Sequence, residues 1–107
     1  MSPDLLHQLL EAGLDDWVSV DRVAWILSRD GFHTTSREAT AAALHDVFVA
    51  GLMEPGDLGH SGFEAWPGPP ETWSERALSA LRELPWPPMG AAFWLNLTDH
   101  GRTRLRI

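Results

Sequence analysis

The 107-residue sequence predicts a single small α+β domain, and three observations carry that expectation. In the first half, apolar residues recur at helical intervals of three and four, and each run is bounded by a capping residue and a glycine. Ala92 to Thr98 alternates instead, with Phe93, Leu95 and Leu97 on one side and Trp94, Asn96 and Thr98 on the other, the period of a half-buried strand. The length suits one core that buries roughly two-thirds of the unfolded chain's surface.

A first helix opens with Ser2 as N-cap, Pro3 where a missing N–H costs nothing, and Asp4 at the positive end of the dipole. Leu5, Leu6, Leu9 and Leu10 share a face, and Gly13 ends the run. Trp17-Val18 reads as a short extended piece. Ser19 then caps a second helix with Val20, Val23, Ala24 and Leu27 as its apolar stripe and Gly31 as its stop. Thr35 and Glu38 stand at capping-box spacing, which starts a third helix with Leu44, Val47 and Phe48 as its buried stripe.

Gly51 falls where a left-handed residue is wanted, and Leu52-Met53 opens a strand that Pro55-Gly56-Asp57 is expected to interrupt. Gly62 to Trp66 forms a second extended segment. Residues 67–90 are a Pro- and Trp-rich insertion whose helix runs from Glu71 to Leu84, with Trp86 held in extended chain between Pro85 and Pro87. The alternating strand leads into a last helix, Asp99 to Arg106, capped by Thr98.

The order is helix, short strand, helix, helix, strand, then a later strand running into a capped helix, which is the winged-helix layout. Leu44 through Met53 runs an amphipathic helix straight into Gly51-Leu52-Met53. Phe93 to Arg102 joins a hydrophobic strand to Leu97-Thr98-Asp99-His100-Gly101-Arg102. Both stretches resemble the MarR-type and PadR-type transcription regulators. Gly62 to Trp66 and Trp94 to Thr98 are similar to features of small bacterial winged-helix-like proteins to which no activity is attached. The resemblance implies a winged helix-turn-helix with a helical insertion between the wing strands, and it makes Thr35 to Ala50 the recognition helix. Where a regulator's wing is usually basic, this sequence carries Glu54, Asp57, Glu64, Glu71, Glu75 and Glu83.

Charge narrows the function classes. Fifteen Asp and Glu face eight Arg and no Lys, and three of those arginines lie in the last six residues, so the body repels polyanions. With no cysteine, disulfides and thiolate sites are excluded, and a reducing, cytoplasmic compartment is expected. No leader or membrane span is read from the sequence.

Five scattered histidines show no His-Glu-x-x-His or other ligand spacing, and there is neither a nucleophile elbow nor a phosphate-cradling glycine loop. No catalytic residue, metal or cofactor is therefore expected. Six tryptophans point elsewhere, because indoles dominate interface hot spots and proline-held chain presents them at little ordering cost.

The leading expectation is a non-catalytic interaction domain, a regulator or inhibitor-like partner of a basic protein, with Trp86, Trp66 and Trp73 as candidate anchors and Trp86 as the exposed one. Trp25, Trp73 and Trp94 are expected to join apolar faces. The alternative is a DNA-binding transcription regulator that reads duplex with Thr35, Ser36, Arg37 and Thr40, His33 and Thr34 being polar neighbours. In that alternative the chain dimerises through helix one or the terminal helix, and a homodimer is compatible with either reading.

Overall fold

A computed structural model describes residues 2–28, 35–88 and 92–106. Over these the chain is α+β, with five helices beside a four-stranded antiparallel sheet. The order is α1 (Pro3–Ala12), β1 (Val18–Ser19), α2 (Val20–Leu27), α3 (Arg37–Val49), β2 (Met53–Gly59), β3 (Gly62–Ala65), α4 (Pro70–Arg82), β4 (Trp94–Leu97) and α5 (Asp99–Leu105). Across the sheet the strands run β1-β4-β2-β3. Thus the two stretches that are distant in sequence meet, Met53 opposite Leu97 and Gly56 opposite Trp94, with α4 between them in the chain.

Local chemistry explains most boundaries. Ser2 accepts from Leu5 N–H at 3.2 Å and Thr98 from Gly101 N–H at 3.0 Å, each satisfying a donor that a helix start leaves orphaned. At the start of α3 the cap is one residue later than the capping-box spacing predicts: Ser36, not Thr35, accepts from Ala39 N–H at 3.0 Å. Ser19 caps α2 without a side-chain hydrogen bond, and α2 closes at Ser28, whereas Gly31, its expected stop, lies outside the described residues, as do His33, Thr34 and residues 89–90 of the insertion. Gly51 leaves α3 at φ +73°, the left-handed turn that an L side chain would resist.

The expected break at Pro55-Gly56-Asp57 is absent, and β2 runs through it. A residue's N–H and C=O point to the same side of a strand. Pro55 directs its carbonyl toward β3, where Trp66 N–H donates to it at 3.0 Å, so its missing donor also faces that side, one step past the end of β3. No ladder bond to β4 is lost. Gly56 carries no side chain because a Cβ there would come within 2.6 Å of the Phe63 ring.

One apolar cluster binds the layers, joining Leu9 and Leu10 of α1, Val20 and Val23 of α2, Leu44 and Phe48 of α3, and Phe93 and Leu95 on the inner side of the sheet. Ala77 and Leu81 of α4 belong to the same cluster, so the insertion shares this core. No helix among the described residues is long and apolar enough to cross a membrane.

Candidate protein-interaction surface

The three tryptophans singled out from the sequence are all engaged inside the molecule. Trp66 is buried, tilted against Phe93 with ring centroids 4.9 Å apart, and donates through Nε1 to Asp57 at 3.1 Å. Arg76 of α4 lies over that indole, 4.0 Å from its centroid, and reaches the same Asp57 oxygen at 3.5 Å. Trp73 is half-buried, edge-on to Phe48, and donates to Pro67 O at 3.1 Å. Trp86, expected to be the exposed anchor, is half-buried, and its Nε1 donates to Thr35 O at 2.7 Å. The exposure expected of Trp86 is thus corrected, and the cause is shared: an indole that leaves solvent needs a hydrogen-bond acceptor, which the Asp57 carboxylate and the Pro67 and Thr35 carbonyls supply.

The candidate DNA-reading residues have internal duties as well. Ser36 is the α3 cap. Thr40 is fully buried, and its hydroxyl donates to Ser36 O at 2.9 Å. Arg37 turns away from solvent to the C-terminus of α4, where Nε donates to Leu81 O at 3.2 Å and a terminal nitrogen to Leu84 O at 2.8 Å, its guanidinium standing 5.3 Å from the Trp86 ring centroid. A cation at a helix C-terminus is favoured by the negative end of the dipole, and here it adds a charged donor to the carbonyls of the last turn. Thr35 is half-buried and contributes its backbone to Trp86 and to Ser28. Together with a 2.7 Å hydrogen bond between His45 and Ser74, these contacts lay α4 along α3 and cover part of the face that a recognition helix would present.

The large apolar side chains left in solvent are others. Trp25, expected in the core, is 61% exposed, and Leu14 and Trp17 are 41% and 36% exposed. Period alone could have found Trp25, since it follows Ala24 by about 100° round the helix and falls outside the stripe of Val20, Val23, Ala24 and Leu27. Trp17 precedes Val18, which is buried, so strand alternation turns it outward. Leu14 follows the helix end and carries no periodic signal.

These residues line two adjoining cavities. The larger, about 650 Å³, is a groove between α1, α2 and α5 with Ala12, Leu14, Trp25, Ile26 and Leu105 as its apolar part. Among the described residues its polar part holds Glu11, Asp15 and Asp16 against one cation, Arg22, while His7 pairs with Glu11 at 2.9 Å. The smaller, about 280 Å³, shares Leu14, Asp15 and Asp16 and adds Trp17, Asn96 and Arg102. The α1–β1 loop therefore presents apolar side chains edged by carboxylates.

Among the described residues no group of three or more His, Asp or Glu side chains could hold a metal ion. The His45–Ser74 pair resembles the start of a nucleophile–base arrangement, yet it is exposed, lines neither cavity, and no carboxylate pairs with His45 among the described residues. Comparison with protein-family models, with curated proteins and with solved structures finds no match.

Proposed function

We propose that this chain is a non-catalytic, winged-helix-like interaction domain that engages a basic protein segment through the α1–α2–α5 groove. The observation that carries the reading is the meeting of Leu14 and Trp25 with Glu11, Asp15 and Asp16 along one groove of a chain whose net charge is −7. Exposed carboxylates each add at most about 1 kcal/mol to a complex. The apolar anchors, Trp25 above all, supply the affinity, and the acids supply attraction at a distance and selection for cations. Support for the winged-helix plan comes from β1, β4 and β2 lying side by side next to α1, α2 and α3.

A Lys/Leu amphipathic helical peptide, tested beside its Glu/Leu counterpart by NMR, examines this directly. The basic peptide shifts the Trp25 indole and Leu14 methyl signals, and its affinity falls with salt and falls at least tenfold in Trp25→Ala. Equal binding of both peptides, or shifts confined to α3 and α4, refutes the reading. Capture from native cell extract, with Trp25→Ala as the control, then identifies the physiological partner.

The strand order also favours a second reading, a duplex-binding regulator, because that layout presents α3 in such proteins. Against it stand the internal duties of Ser36, Arg37 and Thr40. A discrete low-salt gel shift on the gene's own upstream region, lost in Arg37→Ala of unchanged fold, would restore it.

A further inference from the structure

The sheet has an outer side, and its residues follow from register. The inner positions are Met53 and Pro55 on β2 and Leu95 and Leu97 on β4, all buried. Alternation assigns Glu54, Gly56 and Leu58 to the opposite side of β2, with Asn96 and Trp94 across from the first two on β4 and Phe63 across from Leu58 on β3. Trp17, just before β1, stacks on Phe63 with centroids 5.9 Å apart and planes at 24°. Leu58 is 43% exposed, Trp17 36%, and Ala65 is exposed beside them.

This side differs electrically from the rest of the molecule. Its one carboxylate on the paired strands, Glu54, accepts a hydrogen bond from Asn96 at 3.0 Å. Asp57 and Glu64, opposite each other on the hairpin, belong to the other side of the sheet. Asp15 and Asp16 border the patch only at its β1 end, where they share a cavity with Arg102. A chain with net charge −7 thus presents here an aromatic patch with a single carboxylate on its paired strands.

We propose that this patch is where two copies of the chain associate, sheet side against sheet side, about a two-fold axis. A second copy is the occupant that the charges select. A basic partner gains little from a patch with one carboxylate, whereas two acidic copies meet with least repulsion where each brings the fewest carboxylates. Extent sets the strength: four strands at about 4.8 Å spacing and seven residues at about 3.4 Å give a flat footprint of roughly 300 Å², well under the ~800 Å² per partner of a standard interface. The dimer is accordingly transient. This inference stands apart from the groove reading, and salt separates the two. Screening weakens a complex between the acidic groove and a cation, but it relieves repulsion between two chains of like charge and tightens their association.

Sedimentation equilibrium over a concentration series tests it. The wild-type mass rises from that of one chain, 11.9 kDa, toward twice that value between micromolar and millimolar concentration, and added salt shifts the rise to lower concentration. Leu58→Glu, at an exposed position, raises the dissociation constant at least tenfold with an unchanged melting temperature, and Trp17→Ser raises it as well. Val49→Glu, at another exposed apolar position on α3, behaves as wild type. A wild-type chain that stays monomeric throughout, a Leu58→Glu variant that associates like wild type, or association that salt loosens would each overturn the proposal, whatever the peptide titration gives.

Discussion

Replacing Gly101 with alanine should destabilise the chain although the site is helical. In an ordinary helix interior, glycine to alanine stabilises by about 1 kcal/mol. Here α5 runs so close to the end of α3 that a Cβ on Gly101 would fall on the Leu52 carbonyl oxygen and come within 2.6 Å of Leu97 Cδ1. That oxygen already accepts from Thr98 N–H at 3.1 Å and from the Thr98 hydroxyl at 2.9 Å. Making room moves the helix by about 1 Å, since unstrained C···O contacts begin near 3.3 Å, and stretches both bonds. Overpacking of about 1–3 kcal/mol and a lost hydrogen bond of about 1 kcal/mol, less the helix-propensity gain, leave a net loss of about 2 kcal/mol. For a chain of this length that lowers the melting temperature by about 10 °C, readable by far-UV circular dichroism. A Gly101→Ala protein that melts at or above the wild-type temperature would refute the close approach of α5 to Leu52.

Arg37→Ala should cost about 2 kcal/mol in urea unfolding, because two α4 carbonyls lose a charged donor, and Arg37→Lys should recover less than half, a single ammonium being unable to reproduce the fork. Ser36→Ala should lose about 1 kcal/mol while Thr35→Ala stays within about 0.5 kcal/mol, which by chemical denaturation identifies the residue that caps α3. Trp86→Phe keeps a ring but loses the bond to Thr35, for a cost of about 1–2 kcal/mol and faster amide exchange at the start of α3.

The helical segments and the alternating strand were legible because periodicity and capping are local signals. Thr98, Ser2 and Gly51 do what their positions announce. Partnership was less legible. Pro55 and Gly56 look like a turn to any local reading, and only the end of β3 beside them explains why a strand passes through. Arg37, at the start of a recognition-like helix, suggested phosphate contacts, because nothing local reveals that the end of α4 would bring the Leu81 and Leu84 carbonyls to it. Tryptophan content suggested interface anchors at Trp66, Trp73 and Trp86, with Trp86 the exposed one, yet each indole finds an acceptor inside the molecule. Trp25 is the instructive miss, since its angular position on α2 already set it apart from the buried stripe.

Pro55 has a consequence for the fidelity of the sheet. Sliding β2 by one residue against its neighbours would swing the imino nitrogen around to β4, where a ladder hydrogen bond would be lost, and would turn Met53 out of the core. Both penalties act together and in either direction of slip. A residue that seems to disqualify the segment as a strand therefore works as a registration pin, admitting one alignment of β2 and penalising the shifted alternatives during folding.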